Sequence, residues 1–195
     1  MAQNIEIEFK NILTKEEFQK LIHFFQFTKD DFFTQENHYF DTAQFALKES
    51  GSALRIRKKN NEYELTLKQP HQEGLLETNE MLTIIEVEEM LNGGEITNHF
   101  IRTLINEMGI DPNEIEYFGT LLTKRAEIEY QAGLIVLDHS SYLNKEDYEI
   151  EYEVSNQEAG KSVFAELLSQ LQIPFRKTEN KIKRFYQEKY KAQLP

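Results

Sequence analysis

The sequence predicts an α+β fold in which about eight short, mostly antiparallel strands form a barrel with helices packed outside it. Three observations carry this. Segments of period-two alternation recur along the chain, turn residues separate neighbouring segments, and capping signatures mark where helices begin.

In chain order, residues 4–10 alternate charged with apolar side chains and read as the first strand. Thr14-Lys15-Glu16-Glu17 is a capping box, followed by Phe18, Leu21, Ile22 and Phe25 at helical spacing. Strands are predicted at 36–41, 53–59, 62–69 and 74–80, with Asn60-Asn61 making a tight hairpin of the 53–59 and 62–69 pair. Thr83-Ile84-Ile85-Glu86 opens a second helix that stops at Asn92-Gly93-Gly94, and a third covers roughly 96–108, ending at Gly109. Strands at 119–130, 133–139 and 147–154 follow, with turn signals at Gly133 and Asn144. A fourth helix runs from about Glu158 to Leu171, ahead of Pro174, and an amphipathic fifth from about Thr178 to Tyr190. No linker interrupts residues 1–195, so a single domain is expected; the two halves resemble each other too faintly to define a repeat.

A hydrophobic fraction of 39% over 195 residues is enough for a packed core and argues against disorder. The formal net charge of −12 disfavours nucleic acid and anionic membranes as partners. The absence of cysteine excludes disulfides, thiolate zinc sites and cysteine nucleophiles. No stretch has the length of a membrane span, and the N-terminal MAQNIEIEFK lacks a basic and apolar leader, which fits a cytoplasmic protein.

The first strand carries Glu6, Glu8 and Lys10 on one face, and a later one carries Glu149, Glu151 and Glu153. Successive carboxylates on one strand face lie about 6–7 Å apart, so they repel unless a cation sits among them. That pattern suggests a hard metal ion. Elsewhere Arg55 and Arg57 share a face, as do Glu64, Thr66 and Lys68, and as do Arg125, Glu127 and Glu129; Asp138 is in phase with Leu134 and Val136. Each alternation alone describes a strand with one wet face. Taken together they place Arg and Lys where they would converge if the charged faces turned inward. Arg forks and Lys point charges bind phosphate, and interleaved carboxylates bind divalent ions that bridge phosphate oxygens.

This arrangement resembles the CYTH superfamily, the triphosphate tunnel metalloenzymes. The matching residues are Glu6-x-Glu8-x-Lys10, Tyr39-Phe40-Asp41-Thr42, Leu54-Arg55-Ile56-Arg57 and Glu64-Leu65-Thr66-Leu67-Lys68. Arg125, Asp138, Glu149-x-Glu151-x-Glu153, Lys181 and Arg184 follow in order. The resemblance covers nearly the whole chain and implies a closed eight-stranded antiparallel tunnel that binds a triphosphate with Mg²⁺ or Mn²⁺. Two departures stand out. Asn180-Lys181-Ile182 replaces the family's frequent Ser-Lys-Tyr, and residues 74–80 lack the Arg of a common Arg-x-Glu, leaving Glu77 as that strand's carboxylate.

The resemblance implies that Lys10, Arg55, Arg57, Lys68, Arg125, Lys181 and Arg184 bind the substrate's phosphates. Lys181 and Arg184 share a helix face, as a plug at one tunnel mouth would require; Lys177, one turn earlier, could join them. The metal ligands would come from Glu6, Glu8, Asp138, Glu149, Glu151 and Glu153, holding two ions. Lys10, Glu64 and Glu77 are assigned to the reaction itself, the two glutamates as positioning groups or at the second metal. The expected activity is metal-dependent hydrolysis of the terminal phosphate of tripolyphosphate or a small organic triphosphate, thiamine triphosphate among them. A class IV adenylyl cyclase converting ATP to cyclic AMP is the enzymatic alternative, and a non-catalytic polyphosphate or nucleotide binder the alternative of another class. The expected partner is a small-molecule triphosphate, without nucleic acid or membrane, and the protein a monomer or homodimer. No phosphate-binding Gly-x-x-x-x-Gly-Lys loop and no His-Glu-x-x-His occurs.

Overall fold

The computed structural model describes residues 2–191. The chain runs β1 (Ala2–Leu13), α1 (Lys15–Phe24), β2 (Phe33–Thr42), α2 (Ala46–Glu49), β3 (Ala53–Lys59), β4 (Glu62–His71), β5 (Gly74–Leu82), α3 (Ile84–Leu91) and α4 (His99–Glu107). It continues through β6 (Ile115–Tyr130), β7 (Gly133–Tyr142), β8 (Lys145–Val154), α5 (Gln157–Gln170) and α6 (Lys181–Lys191). The eight strands form a closed antiparallel barrel in the order β1-β5-β4-β3-β2-β6-β7-β8, with the helices outside.

The local signals act as expected. Thr14 and Thr83 each accept from the backbone N–H three residues on, and Glu17 and Glu86 return the bond, so both capping boxes form. Asn60 and Asn61 have φ of 50° and 63°, the left-handed pair that a two-residue hairpin needs, and Lys59 pairs with Glu62. Two details differ. At the β7–β8 turn the positive φ of 51° falls on Leu143, one residue before the Asn144 that marks the turn in the sequence. The short α2 was not predicted; buried Asp41 makes it by accepting the backbone N–H groups of Leu47 at 2.9 Å and Lys48 at 3.1 Å.

The described residues divide into two compact units, 2–5 with 36–121, and 6–35 with 122–191. In the first, Leu54, Ile56, Leu65 and Leu67 form the aliphatic face of β3 and β4 and pack on Val87 and Met90 of α3 and Ile101 and Ile105 of α4. In the second, Leu13, Ile135, Leu137, Ile150 and Tyr152 pack on Phe18 and Leu21 of α1 and Phe164, Leu167 and Leu168 of α5. A Cβ at Gly160 would lie 2.7 Å from Val154 and 2.9 Å from Phe9, so this glycine lets α5 seat directly on β8. In both units helices cover the aliphatic strand face. The opposite face therefore carries Arg, Lys, Asp and Glu.

Candidate active site

The charged face of the second unit is built by strand register. Arg125 pairs across β6–β7 with Asp138, Asp138 across β7–β8 with Glu149, and Glu151 and Glu153 across β8–β1 with Lys10 and Glu8. The Arg125 guanidinium grips Asp138 bidentately, Nε to Oδ1 at 2.8 Å and Nη2 to Oδ2 at 2.6 Å, and donates to Glu151 Oε2 at 3.0 Å. Helix α6 supplies two more cations. Lys181 Nζ lies 2.8 Å from Asp138 and 3.5 Å from Glu149 and donates to Glu151. Arg184 donates from Nε to Asp147 at 2.8 Å and from Nη2 to Glu149. Lys10 donates to Glu8 and, at 2.8 Å, to Asn180 Oδ1.

Burial makes these pairings decisive for charge state. Desolvation opposes the charge of Arg125 and Lys181, but Asp138 and Glu151, joined by Glu153 at Arg125 and by Glu149 at Lys181, outweigh it and hold both cations firmly protonated. Burial would likewise raise Asp138 and Glu151; Arg125 and Lys181 overcome it and keep both carboxylates below their ordinary range. The balance reverses at the edges of the cluster. Burial pushes Glu149 up despite Lys181, helped by Glu151. Glu153 is pushed up to about 7 by burial and by Glu151, Glu6 and Glu8, against the pull of Arg125.

Divalent ions fit this donor set. Glu8 and Glu153 are like charges directly opposite on neighbouring strands, an arrangement that favours cations beside it, and Lys10 meets Glu8. Buried Glu149 Oε1 has no hydrogen-bond partner. All candidate donors are carboxylate oxygens, the ligands that Mg²⁺ and Mn²⁺ prefer. Among the described residues no three such groups converge as a preformed cage. Lys181 sits amid Asp138, Glu149 and Glu151, so part of the acid set holds cations in place.

A second charged cluster lies in the first unit. Lys68 of β4 pairs with Glu77 of β5 at 2.5 Å, directly across the strands. Arg57 donates to Asn37 at 3.3 Å and faces Glu64 across β3–β4. Against burial, Lys68, Arg55 and Arg57 pull Glu77 down to about 2. A carboxylate depressed in the folded state stabilises above its unfolded value and loses that contribution as pH falls through the folded one. The stability difference between the wild type and Glu77→Gln, measured by urea unfolding, is therefore expected to hold from pH 7 to about 4.5 and to shrink steadily toward pH 2.

The structure thus gathers Lys10, Arg125, Asp138, Glu149, Glu151, Lys181 and Arg184 in one cluster, with Glu6, Glu8 and Glu153 at its edge, and Arg55, Arg57, Lys68 and Glu77 in another. Glu64 stands beside Arg57 in the register. Lys177 requires a correction. Helix α6 begins at Lys181, and residues 173–180 are neither helix nor strand, so Lys177 is not one helical turn below Lys181. Two further participants join the cluster, Asp147, which the sequence reading does not single out, and Asn180, which it names only as a departure from the family pattern. Asp147 joins Arg184 to the hydroxyl of buried Tyr142, and Asn180 links Lys10 to the start of α6. Asp147 is in phase with Glu149, Glu151 and Glu153, a parity signal that could have found it.

A closed barrel whose strands present clustered Arg, Lys and carboxylates is a scaffold for polyphosphate chemistry. The CYTH domain family matches residues 4–186, and the chain belongs to that family. Triphosphate tunnel enzymes of this family are generally dependent on divalent metal. A Bacillus subtilis (strain 168) protein, provisionally named triphosphatase YjbK, is 53% identical over 192 residues, spanning 98% of this chain and 100% of that protein. The crystal structure of a Bacillus halodurans protein, provisionally described as an adenylate cyclase, matches with TM-score 0.92 and 44% identity, covering 95% of this chain and 100% of that one. A protein from Hippeastrum, provisionally called an adenylyl cyclase and described as revealing a dominant triphosphatase activity, matches with TM-score 0.77 and 25% identity over 94% of this chain and 96% of its own. No helix among the described residues is long and apolar enough to cross a membrane.

Proposed function

We propose that this protein is a cytoplasmic, divalent-metal-dependent triphosphatase that removes the terminal phosphate of tripolyphosphate or a small organic triphosphate. The observation that carries the reading is Lys181 and Arg125 held charged and buried against Asp138 and Glu151. Cations fixed in this way cannot relax toward bulk water, and phosphoryl transfer is catalysed chiefly by positioning and by such preorganised charge. The relationship to the Bacillus subtilis protein supports the same assignment.

In this reading Lys10, Arg125, Lys181 and Arg184, with Arg55, Arg57 and Lys68, bind phosphate oxygens. Glu6, Glu8, Glu149 and Glu153, with Asp138 and Glu151, would hold Mg²⁺ or Mn²⁺ in up to two positions. When bound, the metal supplies charge neutralisation of the phosphates and lowers the pKa of a coordinated water. Asp138 and Glu151 also orient Arg125 and Lys181, so their removal would cost geometry as well as metal affinity. Glu77 performs the orienting role for Lys68.

The relatives described as cyclases make ATP the discriminating substrate. With Mg²⁺ or Mn²⁺, tripolyphosphate and ATP are offered in parallel, and both orthophosphate and cyclic AMP are scored. Orthophosphate release from tripolyphosphate with no cyclic AMP from ATP is the expected result. Cyclic AMP with pyrophosphate as the main products of ATP would overturn the hydrolase assignment in favour of cyclisation.

A further inference from the structure

Residues 173–180, between α5 and α6, form neither helix nor strand, yet β1 and α1 fix them at many points. Fully buried Asn11 uses both ends of its amide: Oδ1 accepts from the Arg176 backbone N–H at 2.6 Å, and Nδ2 donates to the Pro174 carbonyl at 3.2 Å. The backbone of Ile12 donates to Thr178 Oγ1 at 2.7 Å and accepts from Arg176 Nη1 at 3.1 Å. Arg176 completes the clasp with a bidentate fork to Glu17, Nη1 to Oε2 at 2.7 Å and Nη2 to Oε1 at 2.8 Å. Glu17 is itself fixed, because its Oε2 also accepts the Thr14 backbone N–H at 2.8 Å in the α1 capping box.

Helix α6 begins five residues after Arg176. It carries Lys181 to Asp138, Glu149 and Glu151, and Arg184 to Glu149 and Asp147. We infer that Arg176, held by Glu17 and Asn11, is a positioning residue that sets where α6 delivers Lys181 and Arg184 for the reaction; the inference rests on the triphosphatase reading. The Arg176 side chain is 33% exposed, and an ion pair of that exposure adds little to global stability. Its geometric effect is larger. A planar fork combined with backbone bonds on both sides fixes direction as well as distance, and a misplacement of about 1 Å can cost on the order of 100-fold in rate. The clasp therefore governs α6 out of proportion to its share of folding stability.

The test uses the full chain and four proteins: wild type, Arg176→Ala, Arg176→Lys, and Thr14→Ala as a control. Thr14→Ala removes the hydroxyl that accepts the Glu17 backbone N–H at 3.2 Å and leaves the Glu17–Arg176 fork in place. Each is assayed for kcat and KM with Mg²⁺-tripolyphosphate, for Tm, and for hydrogen exchange of residues 181–189 without substrate. For Arg176→Ala the expectation is a KM raised by about 10-fold or more and faster exchange confined to α6, with β7 and β8 still protected and Tm nearly unchanged. Arg176→Lys should fall between Arg176→Ala and wild type, and Thr14→Ala should lower Tm without moving KM. Unchanged α6 exchange in Arg176→Ala, or a uniform loss of protection across the chain with KM intact, would overturn the proposal. Should the wild type fail to hydrolyse tripolyphosphate, the functional reading falls, while the exchange pattern still decides whether Arg176 sets α6.

Discussion

Replacing Arg125 with methionine is expected to cost about 3–5 kcal/mol of folding stability. The guanidinium makes three hydrogen bonds, two to Asp138 and one to Glu151, and both carboxylates are buried. Methionine fills most of the volume but leaves those two acids with Lys181 as the nearest cation. The penalty comes from buried charge deprived of its partner, which exceeds the net worth of the pair itself. The double variant Arg125→Met with Asp138→Asn should recover part of the loss, because it removes one of the stranded charges. Urea unfolding of the four members of this cycle measures the coupling. A loss below about 1 kcal/mol for the single variant would place Arg125 among weakly coupled surface charges.

The largest effect on activity is expected at Lys181. Its ammonium meets three acids on β7 and β8, Asp138, Glu149 and Glu151. In Lys181→Met, Glu149, already raised by burial and by Glu151, loses the cation that chiefly opposes that rise. On the proposed function, a charge that would face developing phosphate negativity is removed as well. Removing one preorganised donor of this kind costs about 100- to 1,000-fold in rate. The expected result is a fall of that order in kcat/KM for tripolyphosphate, with Lys181→Arg retaining more activity than Lys181→Met. Equal kcat/KM in wild type and Lys181→Met would remove α6 from the catalytic apparatus.

Most of the barrel was legible because period-two alternation leaves a direct trace. A one-residue slip would turn Leu54 and Ile56 out of the core and Arg55 and Arg57 into it, so the pattern specifies facing as well as strand. The hairpin at Asn60-Asn61 was legible for a similar reason, since asparagine tolerates the positive φ of a tight turn. Helix α2 left no such trace: four residues give no periodicity, and Asp41, whose carboxylate accepts its Leu47 and Lys48 N–H groups, belongs to the preceding strand. Helix α6 starts at Lys181 and not at about Thr178, whose hydroxyl instead accepts from Ile12 of β1, 166 positions away. Parity singles out the strand acids and cations, whereas Lys181 and Arg184 rest on helix spacing and the family resemblance. The division of the acids into those that hold cations and those available to metal depends on burial and cross-strand distance, as the opposed shifts of Glu151 and Glu153 illustrate.

Orthophosphate release from tripolyphosphate, with Mg²⁺, with Mn²⁺ and with EDTA, by wild type and Glu151→Gln decides whether this is a metal-dependent triphosphatase. Glutamine keeps the size of Glu151 but removes the charge that meets both Lys181 and Arg125. Metal-dependent release by the wild type, its loss in EDTA, and a decrease of about 100-fold or more in the variant are expected. No release by the wild type, or release at equal rates with and without metal and in both proteins, would contradict that assignment.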